Sequence, residues 1–359
     1  MTTPPEAAVR TANVIGLGLM GGSIALGLRQ RGWRVHGDDV HESAVAQAVE
    51  RGIIDAVGLA PAAVITFVAV PVSSTVGAVR AALAETSGAV TDIGSVKAPV
   101  CHACDDPRFV GGHPMAGSEL DGLDGADGDM FNGAIWVLTP VPATDDLTMA
   151  AVSGVVRELG AEVVALTPDR HDQVVAVVSH VPHLAAATLM QLAADRADEH
   201  AALLRLAAGG FRDMTRIASG HPAIWLDICS ENRSAIVTSL DGLIDRLSQI
   251  RSVVDTGDRD RLQSLLAAAR EARTNLPGRV AHPEALVEVR IPIPDRTGAA
   301  AEVFTLAAEL GVNIANFEVV HMAEGNRGVA VVLVDAASGD VFRGGLIARG
   351  FKPAVAPLV

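Results

Sequence analysis

Four short stretches of this chain carry residue types and spacings suited to chemistry. In Val14-Ile-Gly-Leu-Gly-Leu-Met-Gly-Gly-Ser23, Gly16, Gly18 and Gly21 have the G-x-G-x-x-G spacing. An apolar strand, Ala12–Ile15, precedes them and a helical stretch to Gln30 follows. That context marks a dinucleotide site. Gly16 permits a tight turn, Gly18 leaves room for a pyrophosphate and Gly21 lets helix and strand pack. The backbone through Leu17, Leu19 and Met20 then turns N–H groups toward phosphate. A second strand, Trp33–Asp39, ends in acid 18 residues past Gly21. Strand alternation groups Asp39 with Val35 and Gly37, so Asp39 rather than Asp38 is expected to hold the ribose hydroxyls and repel a 2′-phosphate. The expected cofactor is NAD. Val70 and Pro71, closing the apolar strand Ala63–Val70, complete the expected cofactor-binding set.

The second stretch is Gly111-Gly-His-Pro-Met-Ala-Gly-Ser-Glu119. A histidine in a loop beside a cofactor site, here His113, can take a proton near neutral pH. The third, Ser179-His-Val-Pro-His183, sets His180 and His183 one helical turn apart. It has neither an H-E-x-x-H frame nor a third ligand, so anion binding or helix-end packing is expected over metal. In the fourth, Gly209-Gly-Phe-Arg-Asp-Met-Thr-Arg-Ile217, Asp213 and Arg216 stand at i and i+3 and can pair. Arg can also grip a carboxylate through two parallel hydrogen bonds. Cys101-His-Ala-Cys104 has C-x-x-C spacing, but Cys229 is the only other cysteine, so neither a disulfide framework nor a metal site is expected.

These residues must be positioned by a chain of 359 residues, enough for two or three domains. Hydrophobic residues make up 49% and charged residues 19%, a globular balance with ample core. No apolar run is expected to span a membrane. The start, Met-Thr-Thr-Pro-Pro-Glu, lacks a signal peptide's regions, so a cytoplasmic location is expected. A net charge of −14 disfavours nucleic acid and acidic membranes as partners. An anionic substrate would need locally placed cations.

Strand and helix alternate through residues 1–168, with Ser73 or Ser74 expected to cap the helix after Pro71. This is a doubly wound α/β pattern, with ligands at the carboxyl ends of its strands. Pro71, Ser95 and His113 all fall just past such ends. Residues 169–279 read as helices, roughly 169–194, 198–209, 221–254 and 258–274, apolar enough for a dimer interface. A linker at 275–283 leads to a β-α-β-β-α-β order over 285–359, a split βαβ sandwich of the ferredoxin-like kind.

Taken together, these stretches and Thr91-Asp-Ile-Gly-Ser-Val-Lys97 resemble the prephenate dehydrogenases, a family that includes arogenate dehydrogenases. Pro294-Asp-Arg-Thr-Gly298 with Gly311-Val-Asn-Ile314 resembles an ACT regulatory domain. The resemblance implies a Rossmann-type domain, a helical substrate and dimerisation domain and an ACT domain. It implies oxidative decarboxylation of prephenate to 4-hydroxyphenylpyruvate in tyrosine biosynthesis, with NAD⁺ reduced. His113 would draw the proton from the ring hydroxyl, and Ser95 would orient both. Arg216 and His183 would hold the carboxylate side of the substrate, and Glu119, Asp213 and Arg216 an ionic network at the mouth. Gly209 and Trp225 would shape the pocket, with His180 behind it. Asp295, Gly298 and Asn313 would bind an aromatic amino acid effector. Arogenate as substrate, another dehydrogenase class and a non-enzymatic sensor are the competing readings. A β-hydroxyacid-type enzyme is expected to place a catalytic Lys in the helical domain, and residues 169–279 contain none.

Overall fold

The computed structural model describes residues 9–118, 120–197, 207, 209–220, 222–275, 286–294, 296, 298–321 and 327–357. The chain forms two compact units, Met1–Asp198 with Met214–Gln249, and Glu199–Asp213 with Ile250–Val359. The helix beginning at Pro168 buries His171 and Asp172 within the first unit, in hydrogen bonds to His113 and to the backbone of Lys97.

The first unit opens with β1 (Thr11–Ile15), α1 (Leu19–Gln30), β2 (Arg34–Asp38), α2 (Glu42–Glu50), a two-residue β3 (Ala56–Val57), β4 (Ile65–Val68) and α3 (Val72–Glu85). It continues with β5 (Ala89–Asp92), α4 (Ala98–Ala103), β6 (Phe109–Pro114), β7 (Ile135–Thr139), α5 (Asp146–Glu158) and β8 (Glu162–Ala165). The sheet order is β3-β2-β1-β4-β5-β6-β7-β8. Every residue of β4 and β5 is buried, as a strand covered on both faces requires. Ile24 and Leu28 of α1 pack with Phe67, Trp136 and Val156 in the main core. β1 pairs in parallel with both β2 and β4, so the order reverses there and opens a crevice at the carboxyl ends.

Several expectations are corrected. The sheet is mixed, because β6 and β7 pair antiparallel. His113 therefore lies inside a strand, opposite Val137, and not in a loop. Neither Ser73 nor Ser74 caps α3. Pro71 is the N-cap residue, and Ser73 Oγ donates to Asp227 Oδ2 at 2.7 Å.

The helical part begins with α6 (Pro168–Val175), which passes through a π turn, Ala176–His180, into α7 (Val181–Ala197). By length and composition, the helical run Pro168–Asp195 could cross a membrane, contrary to expectation. Its first half buries His171, Asp172 and His180 in hydrogen bonds to the protein. Then come α8 (Gly209–Thr215), a 3₁₀ turn at Arg216–Ser219, α9 (Pro222–Glu231), α10 (Arg233–Asp255) and α11 (Arg259–Thr274). The one helix expected over 221–254 is two. Of the helix expected over 198–209, all but 207 and 209 lies outside the described residues, as does the linker from 276 onward.

In the second unit, β9 (Leu286–Pro294), α12 (Ala299–Glu309), β10 (Ile314–His321), β11 (Arg327–Asp335), α13 (Ala336–Ala348) and β12 (Ala354–Pro357) give the expected order. Their antiparallel sheet runs β10-β11-β9-β12. Alternation along β9 turns Val289, Ile291 and Ile293 onto Val303 and Leu306 of α12 and Phe342 and Leu346 of α13.

Candidate active site

The glycine turn after β1 has the shape a dinucleotide needs. Gly16 has φ +94°, and a Cβ there would come within 2.3 Å of the Ala69 carbonyl and 3.3 Å of Val70. A Cβ on Gly21 would sit 1.8 Å from the Gly16 carbonyl. A Cβ on Gly18, by contrast, would meet nothing within 4 Å, and α1 starts there with no side-chain cap. This is open space at a helix N-terminus, where N–H groups can receive phosphate. Asp39 follows the last residue of β2. Its Oδ2 accepts from Leu17 N at 2.7 Å and its Oδ1 from His41 N at 2.8 Å. The carboxylate thus braces the glycine turn as well as facing outward. A cavity of about 540 Å³ beside it is lined by Asp38, Asp39, Glu42 and Glu50 with Val45 and Val57. Four carboxylates around one cavity disfavour a 2′-phosphate. Gly18→Ala should leave the unfolding midpoint unchanged while raising the NAD⁺ Kd by about tenfold or more, equivalent to roughly 1.4 kcal/mol. Calorimetric titration with NAD⁺ checks this, and an unchanged Kd would remove Gly18 from the pyrophosphate site.

Across the crevice, His113 occupies β6. A buried ion pair between Lys97 and Asp92 anchors this strand to the turn after β5. Lys97 Nζ also donates to the Gly112 carbonyl at 2.8 Å. Asp92 accepts from Gly94 N at 2.9 Å and Gly112 N at 3.3 Å. Gly112 has to be glycine, since a Cβ would lie 2.6 Å from the Asp92 carbonyl. Half-buried Ser95 belongs to the same turn, which runs beside Gly112 and His113 if the β5–β6 register is continued.

His113 Nδ1 lies 2.8 Å from His171 Nε2, and His171 Nδ1 lies 2.7 Å from Asp172 Oδ1. Asp172 also accepts from Lys97 N and Ala98 N, each at 2.8 Å. A carboxylate only accepts, so His171 carries its proton on Nδ1 and its lone pair on Nε2. His113 must then donate through Nδ1, which leaves the lone pair on its own Nε2. The chain Asp172–His171–His113 therefore makes His113 a base at one defined atom. Burial, then the neighbouring His171, Lys97 and His180, push its pKa well below the usual histidine value, so it is neutral at pH 7. His171 and Asp172 were not singled out from the sequence. Their signal was Pro168-Asp-Arg-His-Asp172 at a helix start, with paired titratable residues in the first turn.

A second cavity, about 370 Å³, is lined by Gly117, Ser118, Ser179, His183, Arg216 and Trp225 among others. His183 stacks on Trp225 with ring centroids 3.6 Å apart. Burial lowers the His183 pKa, opposed by a hydrogen bond to the Ile217 backbone. The structure thus brings His183, Arg216 and Trp225 together. Gly209 and Asp213 lie on α8 in the other unit. Glu119 and Asp295 lie outside the described residues. Gly298, with φ +89°, caps α12, and exposed Asn313 precedes β10. Cys101 and Cys104 are buried, and burial raises both thiols, Cys101 to about 11, which makes them poor nucleophiles. A further cavity, about 660 Å³ and larger than either of these, borders Asp172 from the side of His102, Asp169, Arg170 and Glu231 and includes neither His113 nor the glycine turn. Size alone therefore does not mark the reacting centre.

Three buried histidines with lowered pKa values bear on pH dependence. The acid limb of kcat/KM should lie below 6.5, because His113 stays an unprotonated base through that pH. The same groups accept protons more readily when unfolded. Stability should therefore be complete above about pH 6.5 and fall as the pH drops toward the lower folded values. Denaturation midpoints measured from pH 8 to 4 check the sign.

A glycine-turn α/β domain with a buried histidine base near the carboxyl end of β6 defines a nicotinamide-dependent dehydrogenase. Residues 24–165 match the family model of the prephenate dehydrogenase nucleotide-binding domain and residues 167–268 that of its dimerization domain. The prephenate dehydrogenase of Bacillus subtilis is 33% identical over 337 residues, covering 89% of this chain and 90% of that one. The crystal structure of prephenate dehydrogenase from A. aeolicus in complex with hydroxyphenyl propionate and NAD⁺ is similar with a TM-score of 0.70 and 29% identity, over 75% of this chain and 99% of that one. Synechocystis arogenate dehydrogenase is similar with a TM-score of 0.65 and 32% identity, over 73% and 98%. This chain belongs to the prephenate dehydrogenase family. It is an NAD-dependent oxidoreductase.

Proposed function

We propose that the enzyme oxidises prephenate to 4-hydroxyphenylpyruvate and CO₂ in tyrosine biosynthesis, with NAD⁺ as hydride acceptor. The observation that carries this is the free lone pair on His113 Nε2, fixed by His171 and Asp172. NAD⁺, when bound, accepts the hydride from the ring carbon that bears the hydroxyl. His113 Nε2 takes the hydroxyl proton as that carbon becomes a carbonyl. Loss of the ring carboxylate as CO₂ returns an electron pair to the ring. The oxygen becomes a phenolate, which takes the proton back from His113. No net proton is released, so the relay only has to steady a transient imidazolium, and burial of His113 and His171 is no obstacle. Ser95 orients the hydroxyl. Arg216 and His183 hold the substrate's carboxylate side beside Trp225.

The three-part division, 1–168 for cofactor, 169–279 for substrate and dimerisation and 285–359 for regulation, belongs to the same proposal, with a cytoplasmic homodimer as its assembly. The supporting feature of the last part is the β-α-β-β-α-β order on an antiparallel sheet, the arrangement of an ACT module. An aromatic amino acid would bind through Asp295, Gly298 and Asn313. Truncation at Pro283 should then abolish any tyrosine or phenylalanine inhibition that does not compete with prephenate.

The test of the main reading is NADH formation with prephenate and then arogenate. A higher kcat/KM with prephenate is expected; turnover of arogenate alone would make the enzyme an arogenate dehydrogenase, and turnover of neither would overturn both. Arg216→Ala should raise KM for prephenate far more than for NAD⁺, because the Arg216 side chain lines the cavity that would hold the substrate's carboxylate side and lies away from the glycine turn. Equal weakening of both ligands would assign Arg216 to the fold.

A further inference from the structure

His36 Nδ1, Trp136 Nε1 and His180 Nε2 are buried without a hydrogen-bonding partner among the described residues. His180 differs from the other two in its neighbours. It is 1% exposed and ends the π turn Ala176–His180, a distortion often found at functional sites. Its ring meets Trp225 edge to face at 6.1 Å, and the Trp225 face stacks on His183 of the substrate cavity. It is also close enough to His113 to influence that residue electrostatically.

Asn232 lies between α9 and α10 and is buried. Its Nδ2 is 2.9 Å from the Asp172 carbonyl and 3.3 Å from His180 Nδ1. A carbonyl can only accept, so that Asn232 atom is the amide nitrogen, and an amide nitrogen can only donate. His180 Nδ1 must therefore hold a lone pair, and the ring proton sits on Nε2. Burial holds the ring neutral, its pKa pushed down to about 4. That atom, without a partner among the described residues, is thus a neutral, buried N–H donor.

We propose that Asn232 is a positioning residue for the reaction: it locks His180 as the Nε2–H tautomer, and that N–H binds a carboxylate oxygen of the substrate. This rests on the prephenate reading, in which the substrate carries two carboxylates. A neutral donor suits such a site. A full cation would stabilise the very carboxylate that must leave as CO₂, and binding the ground state that tightly opposes catalysis.

The test uses the full-length enzyme with ¹⁵N-labelled histidine, His180→Gln serving to assign the signals. The free enzyme should show His180 protonated at Nε2, and prephenate added without NAD⁺, so that it cannot react, should shift that nitrogen. Asn232→Asp supplies an acceptor in place of the donor and should move the proton to Nδ1. Kinetically, His180→Leu should raise KM for prephenate by about tenfold or more at constant KM for NAD⁺. His180→Gln, which carries an amide donor near the Nε2 position, should recover most of that loss even if Asn232→Asp does not fold. A wild-type ring protonated at Nδ1, a signal unmoved by prephenate in the absence of NAD⁺, or a Gln variant no better than Leu would overturn the proposal. Failure of the wild type to turn over prephenate would overturn the substrate reading instead, and the tautomer in the free enzyme would still decide the role of Asn232.

Discussion

His113→Asn is expected to lower kcat by a factor on the order of 10²–10⁴, the usual contribution of a positioned base, with NAD⁺ binding nearly unchanged. Asparagine is the informative replacement. Its amide nitrogen falls close to the position of the imidazole Nδ1 and can still donate to His171 Nε2, the partner now 2.8 Å away. The Lys97 bond to the Gly112 carbonyl and the β6–β7 pairing do not involve the side chain and should survive. What disappears is the lone pair at Nε2. The cofactor turn is built by Gly16, Gly18, Gly21 and Asp39 on other strands, so NAD⁺ affinity reports separately on the fold. A variant with wild-type kcat would remove His113 from the proton transfer. One that loses kcat and NAD⁺ affinity together would indicate a structural role.

Asp172→Asn should act almost as strongly without touching His113. In Ser-His-Asp hydrolases the corresponding change reverses the histidine tautomer and costs about 10⁴ in kcat. Here the carboxylate accepts from three donors: His171 Nδ1, Lys97 N and Ala98 N. An amide has one acceptor oxygen, so its NH₂ group must face one of those donors. If it faces His171, the ring turns its lone pair to Nδ1 and its proton to Nε2. His113 then has to accept at Nδ1 and carry its proton on Nε2, which disables the base. If it faces a backbone N–H, a buried unpaired donor costs about 1–3 kcal/mol of stability. The two outcomes separate experimentally. A fall in kcat of about 10²–10⁴ marks tautomer reversal, with the unfolding midpoint lowered as well, because the amide group at the Oδ1 position then also faces Lys97 N. A lowered midpoint with kcat largely kept would make Asp172 a strut for the start of α4 and remove it from the relay.

Much of the cofactor half was legible in the sequence because its determinants are local. A turn with φ +94° at Gly16, a helix starting three residues later and an acid at the end of the next strand depend on neighbours along the chain. The strand–helix alternation and the β-α-β-β-α-β order follow from hydrophobic period and turn residues for the same reason. His113, Ser95, His183 and Trp225 could be named from their motifs, but what each one does could not. Three-dimensional packing put His113 in a strand, because β7 offered it an antiparallel partner. It placed His171, 58 residues further on, against His113, and so chose the nitrogen that carries the lone pair. It turned Asn232 onto His180 across 52 residues, leaving a proton at Nε2 with no partner among the described residues. A residue's type and its near neighbours set backbone conformation and amphipathic face. Tautomer, pKa and hydrogen-bond direction depend on which groups from distant segments displace water from the side chain, and no period or spacing along the chain encodes that.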